Sequence, residues 1–248
     1  MDSTVLILIG IGALIVALFL TVFYMLVLSG LFESVDVKAT KKHLLNKSRI
    51  IAYKTYKGSY GQVGDAFSWL CRTAPYNDTI GIYYDDPKTV PVDECRYIVG
   101  AIVETCVENR MSLEEVIQRL EEEEYQFFQM PGSTDPVEKE GELEKEGESG
   151  KGDATSDEGV GTPMVHCTFP FVNTLSIMIA VRRVYPALQK YISDNKLKTG
   201  AYPFIEYCHD STLHFLVPCL DNQRFFVPEF CEENKQFAAE KYSDLVKH

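Results

Sequence analysis

The sequence has no charged residue between Val5 and Leu28, and no lysine or arginine ahead of that run. Twenty-four uncharged residues in a helix reach about 36 Å, enough to cross a hydrocarbon core of about 30 Å with some tilt. A cleaved secretory leader would open with a basic stretch and carry a shorter apolar core of about 7–15 residues. Ser29 and Gly30 also make a poor cleavage site. Basic residues gather only on the far side of the run, at Lys38, Lys41, Lys42, Lys47 and Arg49, and a positive flank of this kind stays in the cytosol. The expected topology is one uncleaved transmembrane helix over 5–28, with residues 1–4 across the membrane and the rest cytosolic. The basic cluster also suits contact with anionic lipid headgroups.

Other absences limit the chemistry. There is no G-x-S-x-G, no phosphate-cradling glycine loop and no Cys/His pairing of catalytic type, and five scattered histidines name no general base. An enzyme is not expected, nor a cofactor. Cys208, His209, His214 and Cys219 invite a zinc reading, but neighbours on a strand point to opposite faces and the spacing fits no tetrahedral set, so no metal site is expected. Seven cysteines, odd in number and scattered, do not form a disulfide framework; reduced thiols fit a cytosolic domain. The net charge of −12 leaves no basic face for direct nucleic-acid binding. Residues 133–162 lack any aromatic and hold ten acidic residues against three lysines, which reads as a disordered acidic insertion. The sequons at Asn46 and Asn77 are expected to stay unglycosylated in the cytosol.

What remains reads as two similar halves. In the first, Arg49–Lys57 (RIIAYKTYK) is a strand, Val63, Ala66, Phe67 and Leu70 mark a helix, and Thr79–Tyr84 and Arg96–Val103 are two more strands. A capping box at Ser112 and Glu115 opens a helix with a Leu113, Val116, Ile117, Leu120 stripe, followed by a strand at Tyr125–Met130. In the second half, Val165–Phe169 is a strand. A long helix then carries Ile177, Val181, Val184, Leu188 and Tyr191, with Pro186 inside it predicting a kink. Phe204–Cys208 and Leu213–Val217 are strands, and Arg224–Val227 is a candidate edge strand. The expected class is α+β, a duplicated strand–helix–strand–strand domain with helices packed on an antiparallel sheet. The segments are a basic juxtamembrane linker over 29–48, the domain over 49–230, and an amphipathic terminal segment over 231–248.

Several strings resemble the GyrI-like domain family: IGIYYDDP (Ile80–Pro87) with VPVDECRYIVGAIV (Val90–Val103), and AYPFIEY (Ala201–Tyr207). The resemblance is closer still to its membrane-anchored eukaryotic branch, the testis-expressed protein 264 family, through the anchor, IAYKTYKGSYGQVG, TFPFVNTLSIMIAVRRVYPAL and FFVPE. It implies residence in the endoplasmic reticulum membrane, with residues 1–4 lumenal, and a receptor role in selective autophagy of that organelle. Autophagosome membranes and the nuclear periphery are further implied locations. The implied partners are ubiquitin-like autophagosome proteins of the GABARAP class and the AAA unfoldase valosin-containing protein, the latter in processing DNA–protein crosslinks. In that family, docking uses an F-x-x-L motif in a long C-terminal tail. This chain ends at His248, where Tyr242 and Leu245 give the nearest substitute, an aromatic and an aliphatic anchor able to dock beside a sheet edge. The same residues also suit an amphipathic helix. The resemblance further implies a ligand cleft at Glu206, flanked by Tyr83, Tyr84 and Tyr207 and favouring apolar cations; Glu206 equally fits a carboxylate hydrogen-bonded to neighbouring backbone or tyrosine. Asp85 and Asp86 fit either that cleft or a turn before Pro87. Gly10, Gly12 and Ala13 lack G-x-x-x-G spacing and indicate no oligomeric state.

Overall fold

The computed structural model describes residues 3–40, 45, 47–75, 78–103, 112–130, 132, 164–197, 202–219 and 222–246. The uncharged run forms one helix, α1 (Ser3–Leu28), none of whose residues is buried within the protein. It is long and apolar enough to cross a membrane. Its end is a Schellman motif: Leu31 N–H donates to Leu26 C=O at 3.1 Å and Gly30 N–H to Val27 C=O at 3.1 Å, with Gly30 at φ 92°.

The two halves are β2 (Arg49–Lys57), α2 (Val63–Thr73), β3 (Asp78–Tyr83), β4 (Arg96–Ile102) and β6 (Met164–Pro170), α4 (Thr174–Asp194), β7 (Phe204–His209), β8 (Thr212–Pro218). Between them lie α3 (Leu113–Glu122) and β5 (Gln126–Met130). Short strands β1 (Lys38–Thr40) and β9 (Ala238–Ala239) sit at the two edges, and α5 (Tyr242–Val246) follows. All pairings are antiparallel, in the order β1-β6-β8-β7-β3-β4-β2-β5-β9. Each half places its last strand between its other two, and the halves meet at β3 and β7, so the sheet has an approximate two-fold relation there. The duplicated α+β architecture read from the sequence is the one observed.

Strand alternation divides the core. Tyr83, Tyr97, Val99, Val165, Phe204 and Phe215 lie on the face covered by α2, α3 and α4. Ile51, Tyr53, Ile80, Ile82, Ile98, Phe128 and Leu216 lie on the other face, which Leu45, Phe225 and Val227 cover. With both faces dry, these strands read as nearly continuous apolar runs. This packing corrects the expected edge strand at Arg224–Val227. Asn222–Phe225 is a 3-10 turn beneath the sheet, because Phe225 and Val227 fill its lower face. Tyr53 Oη fastens that segment by donating to the Glu229 carboxylate at 2.9 Å.

The capping box of α3 is present, with Glu115 N–H donating to Ser112 Oγ at 3.2 Å and Ser112 N–H to Glu115 Oε2 at 3.0 Å. In α4 the buried residues are Ser176, Ala180, Val184 and Leu188, while Ile177 and Val181 remain exposed. The segment expected as a basic linker is built into the domain. It supplies β1 to the sheet edge, Val35 and Val37 pack on the core, and Arg183 Nη1 donates to the carbonyls of Gly30 at 3.0 Å and Leu31 at 2.9 Å. Lys47 is exposed and Arg49 begins β2; Lys41 and Lys42 lie outside the described residues, as do Asn46, Asn77, Cys106 and the acidic insertion 133–162.

Candidate functional site

On the helix-covered face a cleft of about 990 Å³ opens between α2, α4 and the junction of β3 with β7. Its floor follows from register. Gly81 of β3 pairs with Glu206 of β7. A Cβ at Gly81 would stand 3.0 Å from the Phe67 ring and 3.3 Å from Tyr83 Oη. Lacking that atom, Gly81 leaves space for the Glu206 carboxylate and the hydroxyls that meet it.

Glu206 is held from two sides. Tyr185 Oη on α4 donates to Oε1, and Tyr83 Oη on β3 donates to Oε2 at 3.2 Å. Burial pushes the carboxyl above its usual range, although the two tyrosine donors pull the other way. Burial and the facing carboxylate push both phenols well above their ordinary value, so they stay protonated and donate. The walls are aromatic and aliphatic: Tyr60, Phe67, Val181, Tyr202, Phe204 and Phe215. The Tyr185 ring meets Phe204 edge-on at 4.9 Å, and Tyr60 meets Tyr83 at 4.9 Å. This arrangement sets the Glu206 carboxyl against an apolar, ring-lined space that Asp78 and Asp86 also border.

The YYDDP string divides by the same alternation. Tyr83 enters the cleft, whereas Tyr84 lies on the opposite face, its Oη 3.3 Å from Phe225 C=O and its ring 4.6 Å from that of Phe226. Tyr207 borders the cleft, yet its ring stacks on His214 at 4.4 Å across the sheet. The structure thus brings Glu206 and Tyr83 together and sets Tyr84 and the ring of Tyr207 on the opposite face, because consecutive strand residues face opposite ways. Asp85 is structural. It accepts from Arg96 Nε at 2.9 Å, Nη2 at 2.8 Å and the Arg96 backbone N–H at 2.7 Å, which holds its carboxyl below the usual value. Asp86 Oδ1 caps the turn by accepting from Lys88 N–H at 2.9 Å and from Tyr202 Oη at 3.3 Å on the cleft rim.

Tyr185 was not singled out from the sequence. It continues a second stripe, Ile177-Val181-Tyr185-Gln189 at steps of four, beside the buried one, and all four residues border the cleft. At the opposite edge, Tyr242 and Leu245 of α5 pack against the core, with the Tyr242 ring 6.1 Å from Phe127. No group of three or more His, Cys, Asp and Glu residues suited to a metal ion occurs among the described residues.

Human testis-expressed protein 264 is 32% identical over 222 residues, covering 90% of this chain and 60% of that protein. The matched segment is homologous to testis-expressed protein 264. The mouse homologue is likewise 32% identical over 208 residues, covering 84% of this chain and 56% of its own length. The chain thus spans about three fifths of the testis-expressed protein 264 relatives it matches. No family model matches. Among solved structures, the EcmrR C-terminal domain aligns at 10% identity with a TM-score of 0.37, covering 75% of this chain and 96% of that one. Homology to testis-expressed protein 264 and the apolar N-terminal helix together fit a single-pass membrane protein.

Proposed function

We propose that this protein is a membrane-held adaptor of the endoplasmic reticulum, acting in selective autophagy of that organelle with its domain in the cytosol. The observation that carries the reading is homology to testis-expressed protein 264 over 90% of the chain. A helix of spanning length, fastened to the domain through Gly30, Leu31 and Arg183, supports it, since an adaptor must transmit position from membrane to partner. The partners proposed are ubiquitin-like autophagosome proteins of the GABARAP class and the AAA unfoldase valosin-containing protein.

Binding is favoured over catalysis by the cleft itself. The Glu206 carboxyl is already engaged by two hydroxyls and Asp78 by His209 Nδ1 at 2.7 Å, and burial pushes the bordering thiols up, Cys71 above its usual value and Cys208 to about 11. Thiols held in that form are poor nucleophiles.

Docking through Tyr242 and Leu245 requires α5 to leave its seat on the domain. Pulldown of the full chain with a GABARAP-class protein, comparing wild type with Tyr242→Ala and Leu245→Ala, tests this. Loss of capture in both variants supports docking through α5. Retained capture moves the docking site elsewhere, and no capture by wild type removes the autophagy reading.

A second reading rests on Glu206: a membrane-tethered sensor whose cleft takes an apolar cation against that carboxylate and the surrounding rings. A thermal-shift screen with hydrophobic amines checks it. Stabilisation that disappears in Glu206→Gln supports a ligand role, and a flat screen counts against one.

A further inference from the structure

The N-terminal end of α4 is unusually apolar for an exposed helix. Val172 is 58% exposed, Leu175 36% and Met178 52%, in a domain whose other large apolar residues are mostly buried. Leu175, Met178 and Arg182 succeed one another at steps of three and four, so they share one outward face of the helix. Ile177 and Val181 belong to a different face, the one that borders the cleft.

This patch starts where the spanning helix stops. Ser29 Oγ lies 3.0 Å from Asn173 Oδ1, the side chain that caps α4 by accepting from the N–H groups of Leu175 at 2.8 Å and Ser176 at 3.3 Å. Gly30 abuts Phe169 and Pro170, the last residues of β6. Immediately after the turn, Phe32 folds back beside α1, its ring 6.3 Å from that of Phe23, and stays 71% exposed. A ring that close to the last turns of a membrane-spanning helix is at the depth of the lipid interface.

We propose that the first turns of α4, with Phe32, form a second lipid contact that seats the domain in one orientation on the bilayer from which α1 emerges. The patch begins at the Asn173 cap, which the end of the spanning helix meets through Ser29 Oγ at 3.0 Å. Its apolar residues come first, and Arg182 follows one turn beyond Met178, placed to carry its guanidinium among phosphates while its stem stays with the acyl region. The inference rests on α1 spanning the membrane.

The test uses the full chain reconstituted in phosphatidylcholine vesicles, with and without dibrominated acyl chains. Trp69, the one native tryptophan, is exposed and is replaced by Trp69→Phe. Reporters are then introduced singly as Val172→Trp, Met178→Trp and Val92→Trp. Val92 is exposed and lies in the β3–β4 connection, at the end of the strands opposite Pro170. The expected result is at least a twofold loss of emission in brominated vesicles for the first two reporters, and less than a tenth for Val92→Trp. Adding Met178→Glu to the Val172→Trp reporter should weaken its quenching without stopping flotation of the chain with vesicles. Equal quenching at all three positions overturns the proposal, as does blue-shifted emission without quenching, which would place a second copy of the chain on the patch. Failure to float overturns the membrane anchor itself and the seating with it.

Discussion

Replacing Gly30 with alanine puts a methyl group where two constraints meet. The residue sits at φ 92°, and an L-residue held in the left-handed region costs about 1–2 kcal/mol. The added Cβ would also stand 2.8 Å from Cε1 and Cζ of Phe169, which is 1% exposed and has little room to retreat; overpacking of this kind costs about 1–3 kcal/mol. The protein has a cheaper escape than global unfolding. The turn can leave the domain, forfeiting the two Arg183 bonds and the Schellman pair. Docking should therefore weaken by about 2–3 kcal/mol, about thirty- to over a hundredfold in the docked-to-undocked ratio at about 1.4 kcal/mol per factor of ten. Hydrogen exchange on the full chain in nanodiscs reads this at the Gly30, Leu31 and Glu33 amides, each of which donates within or across the turn. Those amides should exchange faster while amides of β3 and β4 do not. Phe169→Leu separates the two causes: in a double-mutant cycle it should recover the part due to the clash and leave the part due to φ. Unchanged exchange in Gly30→Ala would refute the docked anchor.

Three further outcomes follow from buried and half-buried ionisable groups. The folded pKa of Glu206 is raised above its ordinary 4.5, so the fold disfavours its ionised form and its contribution to stability falls as pH rises from about 4.5; Tm measured against pH should decline more for wild type than for Glu206→Gln, and parallel curves would refute this. His214, stacked on Tyr207 and with Nδ1 3.1 Å from His166 Nε2, is depressed by burial from 6.5 to about 4, so stability present above pH 6.5 should be lost as pH falls toward 4; His214→Gln should flatten that limb in denaturant midpoints, and an identical limb would refute the assignment. Asp85→Asn removes the ion pair with Arg96 and should cost about 1–3 kcal/mol at neutral pH, a fall in Tm of about 2–12 °C. Because Asp85 titrates below 3.8 in the fold, the difference between the two proteins should shrink as pH drops through that range; a constant gap would show that the carboxylate charge contributes nothing.

Much of the fold was legible because local signals agreed with one another. RIIAYKTYK is dense in β-formers and becomes β2 with both bounds as read, and the Ser112–Glu115 box opens α3 as expected. The failures share a cause: they depend on partners distant in the chain. Lys38–Thr40 carries no alternation of its own and becomes a strand because β6 presents an edge to it. Phe225 and Val227 are spaced like a strand, but the sheet's lower face needed covering more than its edge needed extending. Glu206 and Tyr83, which the structure joins by a hydrogen bond, both sit in recognisable strings. Tyr185 was missed because its α4 stripe runs beside a stronger one. Tyr84 was misplaced although alternation alone forbids Tyr83 and Tyr84 from sharing a face.

The cleft follows from one cross-strand pair at the junction of the two halves. The two halves meet at β3 and β7, where a fully packed sheet would place a side chain at each partner position. One partner is Gly81 and the other Glu206, so the volume given up on one strand is available for a charge on the other. Burying a carboxylate is costly unless hydrogen bonds meet it, and Tyr83 and Tyr185 supply them from a strand and a helix. Glu206 is consequently positioned by both layers of the domain. Its Tyr185 bond is one of the contacts between α4 and the sheet. That same helix is capped at Asn173 beside Ser29 and bonded through Arg183 to Gly30 and Leu31. Cleft and N-terminal helix therefore share one element: α4 carries Tyr185 at Glu206, and Asn173 and Arg183 at the turn that follows α1.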